Sequence, residues 1–305
     1  MTFVRKGGVQ WTAAVGVSDP VFAAEGAYFA LTGRGGYEFF IFNESGMLST
    51  VRVSRKIRSL DVSAAGVVAV CTESSDTAYV SYFDRYGSRI NVEVKTILDA
   101  SGYPVSIALS PDGNKLLVVY YSIANGIGES RLVVYDFENG KADRSYIVTA
   151  YEDFYATGTY LADCDFIDDR HAIAVGTNRA VFLTDFVKGN VNRKNVTLSG
   201  DVRSLVFNGS GLTLVTEEGD RGVCTFYGAE GDVRERFNCP TDYETLIADG
   251  KRILFQRNEE IVYFNASGVE RYEGALTYEP VSIAFAGSRS LFLNTGGGYE
   301  KITLK

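Results

Sequence analysis

Residues Pro104-Val-Ser-Ile-Ala-Leu-Ser-Pro-Asp-Gly113 decide the fold. A short apolar run with strand propensity ends abruptly in a Pro-Asp-Gly turn, a pairing that favours strands joined by tight turns. The pattern returns at Ile57–Gly66 (Ile-Arg-Ser-Leu-Asp-Val-Ser-Ala-Ala-Gly), Val202–Gly211 (Val-Arg-Ser-Leu-Val-Phe-Asn-Gly-Ser-Gly) and Pro280–Ser288 (Pro-Val-Ser-Ile-Ala-Phe-Ala-Gly-Ser). Weaker copies begin near Pro20, Leu161 and Tyr243. The seven starts, near 20, 57, 104, 161, 202, 243 and 280, are spaced 37 to 57 residues apart. Repeats of this length made only of strands predict propeller blades of four strands each.

A second mark recurs in register with the first. An aromatic-ended strand meets a turn that closes on Gly at Phe42–Gly46, Phe83–Gly87, Tyr135–Gly140, Phe186–Gly189, Tyr227–Gly231 and Phe264–Gly268. In several of these turns Asn or Asp follows the aromatic and opens the turn through its side chain, while Gly supplies positive φ. The composition agrees: 19 Tyr, 19 Phe and 32 Gly stand against 5 Pro, one Trp and one His. Helical periodicity is absent over any useful length. The expectation is an all-β chain forming one domain over residues 1–305, a seven-bladed β-propeller with six or eight blades as alternatives. The seventh repeat has only three strands, so the spare strand at 8–15 is expected to pair into the last blade and cover its edge.

Ser110-Pro-Asp-Gly113, followed by Leu116-Leu-Val-Val119 and Arg131–Gly140, resembles a blade of the WD40 and quinoprotein-like propeller superfamily. The whole chain, with its Tyr-Phe-Asp-Arg-Tyr-Gly-Ser-Arg-Ile stretch at Tyr82–Ile90, is similar to an uncharacterised bacterial family of propeller-like ectodomains. That resemblance implies an extracytoplasmic domain carried by an N-terminal membrane helix, and implies no activity. Quinoprotein blades usually carry a Trp in each repeat. With Trp11 alone here, no quinone or other cofactor is expected.

Charge narrows the partners. A net charge of −8, with no stretch seen to concentrate Lys and Arg, argues against nucleic acid. The N-terminus lacks the apolar core of a signal peptide, and the longest apolar run, Leu116–Tyr121, is far too short to span a bilayer. With Met1 as the native start, a cytoplasmic protein is expected; membrane association would need an anchor outside this sequence.

Chemistry-bearing residues are few. No P-loop, dinucleotide-binding glycine motif or Gly-x-Ser-x-Gly elbow occurs, and Cys71, Cys164, Cys224 and Cys239 carry no Cys-x-x-Cys pattern. They read as free thiols. The lone His171 sits in the Asp168-Asp-Arg-His171 turn, where it reads as a solvated turn residue. Asp163 and Asp165 alternate onto one strand face, either as a weak metal candidate or as an acid/base pair on a channel-lining strand; the plainer reading is carboxylates bonded to loop amides. Four Asn-x-Ser/Thr triplets, at Asn43, Asn195, Asn208 and Asn265, mostly fall where a turn wants Asn.

The third repeat is the longest, and its extra residues are expected to lie in two loops, Tyr121–Ser130 and Tyr151–Tyr160. Both are expected to emerge on the face where propellers usually bind ligands. Tyr121, Tyr151, Phe154, Tyr155 and Tyr160, with Glu152 and Asp153, would then form an aromatic and acidic rim suited to a protein, peptide or glycan. The alternative is that these rings tuck onto the blade edge. The reading is a non-catalytic binding or scaffold module; the competing one is a polysaccharide hydrolase or lyase using channel carboxylates.

Overall fold

The computed structural model describes all residues except 6, 7, 125, 139–145, 187–190, 251, 288 and 305, and gives no side-chain detail for 5, 8, 124 and 155. Its seven blades are antiparallel sheets whose strands, labelled a to d, follow one another in sequence. Blade 1 comprises Pro20–Glu25, Tyr28–Gly33, Glu38–Asn43 and Gly46–Arg52. Blade 3 comprises Tyr103–Leu109, Lys115–Ala124, Ile127–Asp136 and Ile147–Tyr151. The chain is a seven-bladed β-propeller. The blades group into two compact units: Met1 and Trp11–Thr197 hold blades 1 to 4, and Thr2–Gln10 with Leu198–Lys305 hold blades 5 to 7.

Strand b and c residues such as Leu116–Tyr120 and Leu132–Tyr135 are buried on both faces, because the blade 3 sheet is covered by blade 2 on one side and blade 4 on the other. Turn chemistry fixes the hairpins. In blade 3 the Asp112 Oδ1 accepts from Asn114 N at 2.9 Å, and Gly113 N donates to Ser110 O at 2.7 Å. Gly113 has φ +77°, and a Cβ there would press on Val67 at 2.9 Å, so glycine is required twice over. The c–d turns use the same device at Asn43, Asp84 and Asn265, whose Oδ1 atoms accept from Ser45, Tyr86 and Ser267 amides. Neighbouring a–b turns are then stitched together: Ala65 N donates to Pro111 O, and Asp112 N to Asp169 Oδ1 at 2.8 Å.

Strand a carries a register shift at the same repeat position in four blades, skipping Arg58, Val105, Ala162 and Arg203. Each skipped residue is exposed. Such bulges bend a strand and re-aim the side chains beyond them. Here they set Ser59, Ser106, Asp163 and Ser204 at equivalent positions, with Asp61, Ala108, Asp165 and Val206 two residues later.

The N-terminus departs from expectation. Thr2–Arg5 and Gly8–Thr12 pair with each other as a two-stranded hairpin, and among the described residues blade 7 (Ser282–Gly287, Ser290–Asn294, Tyr299–Thr303) is three-stranded. Among the described residues, Gly8–Thr12 is paired with Thr2–Arg5 and not with a strand of blade 7. Met1 N donates to Ala13 O at 2.8 Å, closing the hairpin. The Trp11 ring stacks on Phe42 at 5.6 Å and Phe29 at 6.1 Å, and its Nε1 donates to Glu44 O. An aromatic stack on blade 1 thus takes the end of this strand.

Candidate functional site

The two long segments of the third repeat fold differently from one another. Tyr121–Ser130 is no loop: Tyr121 pairs with Ser130, Ser122 with Glu129 and Ile123 with Gly128, so strands b and c run on as ladder rungs to a tip at Gly126. Both are 10 residues long, against 6 for the corresponding strands of blade 1, and the hairpin projects. Its projecting rungs carry Ile123, 70% exposed, and Ile127. Tyr121 meets Tyr160 edge to face at 6.2 Å. Gly128 allows this, since a Cβ there would strike both rings.

Tyr151–Tyr160 instead folds down. Phe154 is wholly buried, among Leu132, Val134, Leu161 and Phe166. It therefore offers no ring to a ligand, which corrects its place in the expected rim. Tyr151 packs against the same cluster and donates its hydroxyl to Val191 O at 3.1 Å. Arg193 secures the segment: its guanidinium lies 4.7 Å above the Tyr151 ring and 5.3 Å above Phe154, and pairs in two-pronged fashion with Asp153 at 2.6 and 2.5 Å. That hydrogen bonding holds the Asp153 carboxyl below its ordinary range. Glu152 forms an ion pair with Arg131. The backbone of Tyr155 opens a short 3-10 turn, and its side chain lies outside the described residues. Of the expected rim, Tyr121 and Tyr160 stay together near the surface. Arg193 was not legible, lying 40 residues beyond its partner in the next blade.

The second feature is acidic. Asp61 and Asp165 occupy the same repeat position on strand a of blades 2 and 4, with Ala108 between them on blade 3. Asp61 accepts from Leu109 N at 2.6 Å, and Asp163 from Ser106 Oγ at 2.7 Å. Desolvation, then repulsion from Asp61, raises Asp165 to about 8. Desolvation raises Asp61 to about 6, with smaller contributions from Glu25 and Asp163. These carboxylates converge, and backbone amides and a serine hydroxyl serve them. Among the described residues no three His, Cys, Asp or Glu side chains are placed to hold a metal ion. His171 lies at the a–b end of blade 4, with Nδ1 2.8 Å from Asp168. All four cysteines are free thiols, and burial pushes Cys71 up to about 12.

Comparison with known proteins places the chain. The family of unknown function DUF5711 matches residues 1–304. The chain belongs to this family. No curated protein matches it in sequence. Among solved structures it is similar to a streptogramin B lyase, at 18% identity and TM-score 0.57, over 94% of each chain. It is similar to BamB from Moraxella catarrhalis, at 13% identity and TM-score 0.54, over 98% of this chain and 88% of that one. The dihydro-heme d1 dehydrogenase NirN aligns at 13% identity and TM-score 0.62, over 91% of this chain and 61% of the longer one. These likenesses show the β-propeller fold of this DUF5711 chain.

A third feature was missed in the sequence although its signal was present. Arg52-Val-Ser-Arg-Lys-Ile-Arg58 places four cations within seven residues, with no acid among them. This corrects the view that no stretch concentrates positive charge. It forms the connection from blade 1 to blade 2, and overall acidity hid it.

Proposed function

We propose that this DUF5711 protein is a non-catalytic binding module that docks a protein partner on the projecting blade 3 hairpin. The observation that carries this reading is the exposure of Ile123 at the end of a hairpin extended well beyond its counterpart in blade 1. An aliphatic side chain held in water gains from burial against a partner, and the Tyr121–Tyr160 pair beside it supplies a rigid aromatic anchor. Aliphatic contact favours a protein over a glycan. The hairpin is braced from below by Phe154, so docking needs little ordering. Ile123→Asp combined with Tyr160→Ala is expected to leave the unfolding midpoint within a degree or so, because both side chains are exposed. In affinity capture from the native cell extract, the variant should lose a species that the wild type retains. Retention of the same species by both proteins would overturn the assignment.

A second reading is favoured by the raised carboxyls. Asp165 as a general acid beside Asp163, with Asp61 near, supports carboxylate-based cleavage of a polysaccharide. Assay of new reducing ends and of unsaturated products over a panel of polysaccharides tests it. Activity in the wild type that vanishes in Asp165→Asn supports it, and no activity on any substrate counts against it.

A further inference from the structure

We infer that the connection between blades 1 and 2 builds a second binding site, a groove for an acidic oligosaccharide. This site is separate from the blade 3 hairpin in its residues and its chemistry. Three adjoining cavities wrap residues 51–58. One of about 520 Å³ lies between Ser18, Arg34, Tyr37 and Arg52. One of about 500 Å³ lies between Tyr37, Arg55, Lys56, Arg58, Ser74 and Tyr103. One of about 410 Å³ lies between Arg52, Arg55, Ser81 and Arg89. Tyr37 borders the first two and Arg55 the last two, so the three cavities adjoin along this connection. Each is within the usual size of small-ligand sites.

The charge in the groove is not self-cancelling. Arg34 is paired with Asp19 at 3.3 Å and Arg52 with Glu38 at 3.2 Å, while Arg58 is paired with Glu73 and Arg89 with Glu93. Among the described residues Arg55 and Lys56 have no carboxylate partner. The Arg55 guanidinium lies 3.7 Å above the Tyr79 ring, which holds its plane in place without neutralising it. An anion entering the groove therefore meets two uncommitted cations, one already oriented. Arg presents a planar fork matched to a carboxylate, and Lys adds a point charge.

The walls distinguish a sugar from a peptide. Tyr37 and Tyr103, each 51% exposed, both line the 500 Å³ cavity and bring aromatic surface suited to pyranose rings. Ser54, Ser74 and Ser75 line the same cavity, are exposed and can exchange hydrogen bonds with ring hydroxyls. The cavity has little aliphatic wall, Leu98 being its only aliphatic residue, for a peptide side chain to fill. The arrangement of aromatic platforms, hydroxyls and two free cations fits a glycan bearing carboxylates at intervals.

Titration calorimetry of the full chain with a galacturonic acid hexamer tests the inference. Binding is expected, weakening steeply as salt is raised toward 0.5 M, where screening shortens the reach of exposed charges to about 4 Å. Arg55→Gln with Lys56→Gln should weaken it by about tenfold or more, with the circular dichroism spectrum unchanged. Tyr103→Ala, which alters no charge, should also weaken it. Ile123→Asp should leave it unchanged, so this site and the hairpin fail independently. Failure of the hexamer to bind would overturn the inference, as would equal affinity for its methyl-esterified, uncharged form. Equal or tighter binding of hexaglutamate would also overturn it, in favour of an acidic peptide.

Discussion

Phe154→Ala is expected to destabilise the protein by about 3–5 kcal/mol, the range for emptying a buried aromatic site. The ring is wholly buried between blades 3 and 4, so its removal leaves a cavity lined by Leu132, Val134 and Leu161. The loss should exceed the transfer term, because the surroundings cannot collapse. Leu132 and Val134 sit on a strand locked in a ten-rung ladder with its neighbour. Arg193 would also lose one of the two rings beneath its guanidinium, loosening the Asp153 pair. Tyr160→Ala, 40% exposed in the same segment, should cost under about 1 kcal/mol. Urea unfolding of the two variants side by side measures the difference. A Phe154→Ala midpoint matching that of Tyr160→Ala would show that the segment does not plug the blade edge.

That contrast explains where the sequence was readable. The repeats were legible because their turns are made by local chemistry: Asn43, Asp84 and Asn265 each bond an amide two residues on, and the following Gly completes the turn. Blade count followed from counting such turns. Phe154 and Tyr160, by contrast, look alike as loop aromatics, and which is buried depends on Arg193 in another blade. The bulged residues Arg58, Val105, Ala162 and Arg203 are not of one type, since an exposed extra residue needs none. The N-terminal strand was recognised as spare, but its partner was misassigned. Stacking of Trp11 on Phe29 and Phe42 is a tertiary contact between aromatics that sequence proximity does not reveal. The cations at 52–58 are plain in the sequence, but a net charge of −8 averages away such a local cluster.

Asp165→Asn is expected to stabilise the protein above neutral pH. Asp165 titrates at about 8 and Asp61 at about 6, both far above an ordinary aspartate. The sign follows from proton counts. Between about pH 4, where an unfolded aspartate ionises, and pH 8, the folded protein holds protons the unfolded chain has released. Stability from these two groups is therefore fully present below about pH 4 and falls as pH rises. The Asp61 share is gone by about pH 6 and the Asp165 share by about pH 8. A tenfold change in proton affinity corresponds to about 1.4 kcal/mol, so the decline is on the order of a few kcal/mol. The asparagine keeps the shape and cannot ionise. It should match the wild type near pH 4 and exceed it at pH 8. Thermal unfolding of both proteins from pH 4 to 9 gives the difference directly. A difference between variant and wild type that stays the same from pH 4 to pH 9 would show that the Asp165 carboxyl is not raised in the fold. The position also bears on function. Val206 occupies the equivalent place in blade 5 and Ala108 in blade 3, so the architecture accepts an uncharged side chain there. Two carboxylates kept where an alanine fits are a local cost to stability, and such costs concentrate where a protein binds or transfers protons. Gain of stability in Asp165→Asn together with loss of polysaccharide cleavage would identify the pair as catalytic; gain of stability alone leaves the module a binder with an acidic inner strand.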